Sequence, residues 1–196
     1  MQARARLLTL IGVMALAPAA SAPGLYQPGR YAVDGAATRV HFHVKALVGK
    51  YEGDLRDPQG EVAIDPARPD RADIDIRFPV DKLTTGDPST DAMLKGGSFF
   101  DMAQYPTVRF AAEGAPLASA QGETRIEGRL TMHGVTQPTT LTVRLTGVTP
   151  DEAPGISTLH FTGTMAVERS HFGMGFGRPF VADRVDLSVD AVFRRS

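Results

Sequence analysis

Apolar and polar residues alternate with period two along most of this chain, most clearly from Arg125 to Gly147. Ile126, Gly128, Leu130 and Met132 share one parity on the first run, and Leu141, Val143 and Leu145 share one on the second. Period two is the pattern of a strand with one face on a core and the other in water. His133 and Gly134 fall where direction must reverse, and glycine supplies the positive φ that a tight turn needs. Pro138 has no N–H for a ladder, so the second strand is expected to start near Thr139, or to carry a bulge or an edge there. A lone hairpin is marginal in water, so the rest of the chain must cover its apolar face.

The same code recurs on both sides of this hairpin. A first strand can begin in GRYAVD, from Gly29 to Asp34, and Val40, Phe42 and Val44 then alternate with Arg39, His41 and His43. Val62 with Ile64, Ile74 with Ile76 and Phe78, and Val108 with Phe110 give three further inward sets. Leu159, Phe161, Met165 and Val167 flank Gly163, a position suited to a bulge. Val185, Leu187, Val189, Ala191 and Phe193 form the longest clean alternation. Leu47, Val48 and Tyr51 near Gly49 and Gly53 mark a turn or a sharply curved strand, and Asp57, Pro58 and Gly60 predict a reversal.

The period changes once. Asp87 as N-cap, Pro88 at the first helical position, Ala92, Met93 and Leu94, and then Gly96 and Gly97 as a stop predict a helix of about two turns. Phe99, Phe100, Met102 and Tyr105 follow as an apolar connection that reads as a plug or satellite core. About eight strands, one short helix and no βαβ rhythm predict an all-β, eight-stranded antiparallel barrel in preference to a sandwich, because closure removes edges. Such a barrel is either filled by side chains or holds one slender ligand, and periodicity does not choose between them.

The first residues are written differently. Arg4 and Arg6 precede an apolar run from Leu7 to Leu16 and then small residues, the layout of a secretory signal peptide over residues 1–22 with cleavage expected between 19 and 22. The run is short for a bilayer span of about 20 residues. Residues 23–196 are then expected to form a single exported domain. Without residues 1–22, 19 basic residues stand against 22 acidic ones, a formal charge of −3 that argues against general nucleic-acid binding. The absence of Cys removes disulfides, thiolate nucleophiles, Cys metal sites and a lipid-modified anchor.

Catalytic patterns are weak. His41 and His43 share a strand face without a visible third ligand, and none of the five His lies in HExxH, so no metal site is expected. Ser170 adjoins His171, but no GxSxG surrounds the pair. Asp87 and Asp91 fall four apart on the short helix, where capping explains them better than acid–base work. Gly173, Gly175 and Gly177 have the wrong spacing for a dinucleotide or phosphate loop.

Four blocks carry a resemblance. LTMHGVTQPTTLTV from Leu130, YAVDGAATRVHFHVKALVGKYEG from Tyr31, LTTGDPSTDAMLKGGSFFDMAQYPTVRF from Leu83 and ERSHFGMGFGRPFVADRVDLSV from Glu168 together resemble the YceI-like family of polyisoprenoid-binding, mostly periplasmic proteins. The resemblance implies a lipocalin-like barrel in the periplasm, with a tunnel for a polyisoprenoid lipid or isoprenoid quinone and no other cofactor. By position it implies tunnel or plug roles for Phe42, Val44, Leu94, Phe99, Phe100, Phe110, Phe172 and Phe176. A polar lipid head would need partners at the mouth, for which Lys95, His133, Arg169, His171 and Arg178 are the candidates. The chain departs from the family pattern at Ala37 and Thr38, where a His-Ser pair is common, at Thr90, where Arg is common before the Asp, and at Leu55, where an aromatic is usual. Thr90 removes a cation that an anionic head would meet.

The function expected is non-catalytic binding, transport or storage of a long apolar lipid. The alternatives are a filled-core structural or stress-related interaction module, and a lipid-modifying enzyme using His133 or His171. Expected partners are the lipid itself, transient contact with a membrane or membrane redox proteins, and a second copy in a homodimer; nucleic acid is not among them.

Overall fold

The computed structural model describes residues 26–118, 120–150 and 157–196, and the expected signal peptide lies outside these. Its strands are β1 (Gly29–Val33), β2 (Arg39–Ala46), β3 (Lys50–Arg56), β4 (Gln59–Ile64), β5 (Arg71–Pro79), β6 (Thr107–Pro116), β7 (Thr124–Met132), β8 (Val135–Pro150), β9 (Ser157–Glu168) and β10 (Val181–Arg195). One helix, α1 (Pro88–Lys95), and two 3₁₀ turns, Val80–Lys82 and Arg169–Phe172, complete the described elements.

The order β1-β4-β5-β6-β7-β8-β9-β10 closes on itself through β1 and β10. Along one edge, β10 pairs its end from Phe193 with β1 and its earlier part, up to Asp190, with β2. On the outer side β4 pairs with β1 and β3 with β2. β1 with β2, and β3 with β4, therefore each fill one position, and the ten segments form the expected eight-stranded antiparallel barrel with one helix.

This corrects the reversal expected at Asp57, Pro58 and Gly60. β1 and β2 run the same way along β10, so β3 and β4, antiparallel to them, also run the same way. Asp57 at φ 53 and Gly60 at φ 126 bend the chain between them without turning it back. Pro138 lies within β8 opposite Arg129. Pairing of β8 with β9 starts only at Thr142, so beside Pro138 the strand is an edge, which suits a residue with no N–H.

The parity read from the sequence decides which side chains point inward. Ile126, Leu130, Met132, Val143 and Leu145 are all buried, as are Val44, Ile76, Phe110, Leu159 and Phe193. Each such aliphatic or aromatic side chain contributes about 1.5–3 kcal/mol when removed from water. The β7–β8 turn is His133 at φ 50 and Gly134 at φ 72, the two positive values of a type I′ turn. A Cβ on Gly134 would stand 2.5 Å from the Tyr105 ring, so the position requires glycine for space as well as for backbone.

β2, β5, β7 and β9 end, and β6, β8 and β10 begin, at the same end of the barrel. That end gathers the turn 47–49, the connection 80–106 that carries α1, the His133–Gly134 turn and the Gly-rich loop 169–180.

Candidate ligand-binding site

The inward side chains do not meet across the barrel. They leave a cavity of ≈ 360 Å³ lined from Tyr26, Thr38 and Leu117 at one end to Phe99, Phe176 and Gly177 at the other. The volume lies in the range of about 300–1,000 Å³ usual for small-molecule sites. Among the described residues its lining contains no His, Asp, Glu or Lys, and its polar members are Thr38, Thr162, Arg169 and three Tyr. Most of their polar atoms are already engaged. The Thr38 hydroxyl accepts from Val192 N at 2.9 Å and donates to Val192 O at 3.3 Å. The Tyr31 hydroxyl donates to Gln27 O at 2.9 Å, and that of Tyr26 to Ala118 O at 2.5 Å. Burial, reinforced by Tyr31, pushes the Tyr26 phenol well up from its ordinary value, which keeps it neutral. A guest therefore meets hydrocarbon.

Room for it depends partly on small residues. A Cβ on Gly128 would stand 2.6 Å from Cζ of Phe110, so the ring occupies space that any other residue on β7 would claim. This explains why glycine sits at an inward position.

At the mouth, α1 presents Met93 and Leu94 to the cavity. The Asp87 carboxylate accepts from Ser89 N and Thr90 N at 2.7 and 2.9 Å, capping the helix as the sequence predicts. Asp91 accepts from the amide and the hydroxyl of Thr85, both at 2.6 Å, and the hydroxyl chiefly holds its carboxyl below the usual range. Both aspartates serve helix geometry. Phe99, after α1, meets Phe176 of the Gly-rich loop edge to face, with centroids 5.7 Å apart.

Arg169 organises that loop. It is only 4 % exposed, and its guanidinium donates to the carbonyls of Ala182, Met174, Phe176 and Val181 at 2.5–2.9 Å. Burial pulls its pKa down from the ordinary value, and Asp183 opposes this. Asp183 in turn accepts from Ser170 N at 2.8 Å and Ser170 Oγ at 2.5 Å, and lies 3.3 Å from Arg178. Burial pushes the Asp183 carboxyl up, but the two Ser170 bonds together with Arg178 and Arg169 hold it below the usual range.

Of the residues expected along the tunnel, Phe42, Val44, Leu94, Phe99, Phe100, Phe110 and Phe176 line the cavity. Phe172 does not; it is buried in the 3₁₀ turn behind the loop. Of the residues expected to meet a polar head, only Arg169 lines the cavity, and its donors serve the loop. Lys95 Nζ donates to Asp81 O at 2.9 Å, and His133 Nδ1 donates to Phe172 O at 2.9 Å beside the Tyr105 ring. His171 is exposed and offers its carbonyl to Gln137 Nε2 at 3.1 Å, while Arg178 pairs with Asp183. Neither His of the enzyme alternative lines the cavity, and Ser170 is engaged by Asp183. His41 and His43 bond Asp54 and Glu52 on the outer face, and no metal-binding cluster occurs among the described residues.

Sequence reading missed Tyr51, which lines the mouth while remaining partly exposed, and Tyr26, Tyr31, Leu55 and Met174. Parity would have placed Tyr31 and Leu55 inward. Tyr26 lies before the first strand and Met174 in a loop, where no periodicity operates. The arrangement is an apolar cavity with the shape and lining to hold an apolar molecule.

A UPF0312 protein of Pseudomonas savastanoi pv. phaseolicola is 25% identical over 189 residues, covering 94% of this chain and 97% of its own. One from Vibrio cholerae is 27% identical over 169 residues, covering 85% and 88%. Burkholderia cenocepacia BcnA superposes with a TM-score of 0.66 at 27% identity, covering 82% of this chain and 98% of that one. A polyisoprenoid binding domain from Saccharophagus degradans, at 14% identity and a TM-score of 0.63 over 85% of this chain and 98% of that one, shares the fold. The description YceI-like domain matches residues 31–193, and with its closed barrel and apolar lumen the chain belongs to the YceI-like family.

Proposed function

We propose that this protein is an exported, periplasmic carrier that holds one long apolar lipid of the polyisoprenoid or isoprenoid quinone type in its barrel. The observation that supports this reading is the open apolar lumen running from Tyr26 to Phe176, whose lining offers hydrocarbon along its length. The name of the Saccharophagus domain supplies the ligand class. Each buried CH2 contributes about 0.8 kcal/mol, so an isoprenoid tail has ample driving force even after ordering costs. The head would rest at the mouth, where Tyr51 lines the rim and Lys95 and Arg178 directly follow the lining residues Leu94 and Gly177 along the chain. Because Thr90 supplies no cation, a neutral quinone head suits this chain better than a pyrophosphate.

Calorimetric titration with an isoprenoid quinone and with a polyprenyl phosphate tests the reading. One-to-one uptake with a negative heat-capacity change is expected. No saturable heat with either lipid would refute it.

A further inference from the structure

The lumen accounts for some exposed apolar residues at the mouth and leaves others unexplained. Phe176, 61 % exposed, lines the cavity. Leu47, Val48 and Phe180 do not, yet they are 76 %, 90 % and 65 % exposed. Leu47 N donates to Phe180 O at 2.7 Å, which joins the β2–β3 tip to the Gly-rich loop and makes one patch of the three. Exposed side chains of this size in one place mark a surface that docks on something apolar.

The charges behind the patch say what. Lys45 and Lys50 are direct partners across β2 and β3, an unfavourable like-charge pairing in water. Lys50 is balanced by Glu52 at 2.7 Å and Arg178 by Asp183 at 3.3 Å, but Lys45 has no ion-pair partner among the described residues. Lys45 stands two residues behind Leu47, roughly 7 Å back along the strand. An apolar tip with cations that far behind it matches a lipid interface, where apolar groups enter the acyl boundary by about 5–10 Å and cations meet anionic head groups.

We propose that the barrel docks mouth-first on an anionic lipid bilayer through Leu47, Val48 and Phe180, with Lys45 and Lys50 at head-group level. This rests on the reading of the lumen as a lipid site: docking in this orientation opens the cavity onto the membrane, so a guest passes between them without crossing water.

The test is flotation of the exported protein with vesicles of phosphatidylglycerol and phosphatidylethanolamine, and with vesicles of phosphatidylcholine alone. The wild type binds the anionic vesicles more tightly. A Leu47→Ser/Val48→Ser double variant loses at least tenfold in affinity, since two side chains leave the acyl region. Lys45→Gln loses about fivefold, on anionic vesicles only. Phe180→Ser gives a second, independent loss. These residues lie off the lumen, so calorimetric lipid uptake stays at the wild-type value in every variant. Absence of flotation, or equal flotation of wild type and double variant, overturns the proposal. So does a wild type that forms a concentration-dependent dimer, abolished by Leu47→Ser/Val48→Ser, without binding vesicles. Failed uptake with flotation and its losses intact would refute the carrier reading and leave the docking surface standing.

Discussion

Phe99 and Phe176 meet across the mouth with ring planes at 78°, one ring from the segment after α1 and the other from the Gly-rich loop. Edge-to-face pairs contribute about 0.5–1.5 kcal/mol beyond burial, so this pair narrows the entrance without sealing it. Phe176→Ala should therefore speed entry and release of lipid several-fold while changing equilibrium affinity less. Stopped-flow exchange of a fluorescent isoprenoid analogue measures both. An unchanged release rate would mean that the pair is no gate.

The Phe110 ring fills the space beside Gly128 in place of a side chain on β7. Gly128→Ala should force the ring toward the lumen or the strands apart, destabilising the fold by about 1–3 kcal/mol, as overpacking does. It should also reduce uptake of long lipids more than of short ones. Denaturant unfolding and calorimetry read the two effects.

Removing the Arg169 guanidinium would strip their donor from the carbonyls of Met174 and Phe176 in the loop and of Val181 and Ala182 at the start of β10. Bonds to charged groups contribute about 1.5–3 kcal/mol each, and orphaned buried carbonyls add a desolvation penalty. Arg169→Met should cost at least about 3 kcal/mol, and protection from hydrogen exchange should fall first in residues 169–182. Uniform loss of protection would contradict a role centred on the loop.

The loop should also respond to acid. The Asp183 carboxyl is held below its ordinary value in the folded protein, so its contribution is fully present above the unfolded value of about 3.9 and is lost as pH falls through the folded value. Lipid release should accelerate as pH falls through the folded value, below the ordinary carboxylate range. Asp183→Asn, which cannot ionise, should release faster than wild type at neutral pH and show little further change in acid. A wild-type release rate that stays flat with falling pH until the barrel itself unfolds would contradict this.

Most of the barrel was legible in the sequence because half-buried strands write period two directly, as Val185 to Phe193 and Ile126 to Met132 show. The helix start was legible because Asp87 and Pro88 have one common use together. The bend at Asp57 was misread as a reversal because the same turn residues serve both, and only pairing along β10 separates them. Periodicity placed Phe42, Val44 and Phe110 inward but could not say whether inward rings meet, since a filled and a hollow barrel share one pattern. The mouth was the least legible region. Arg169 reads as a free cation in a Gly-rich loop, and only the fold turns two carbonyls of the loop and two from the start of β10 toward it.

Native mass spectrometry of the protein, purified without detergent, is the decisive measurement of whether the barrel carries a lipid. A population heavier than the polypeptide by the mass of one lipid is expected, and solvent extraction should identify that lipid as a long-chain isoprenoid. A bare polypeptide mass that persists after incubation with isoprenoid quinone and polyprenyl lipids would contradict it.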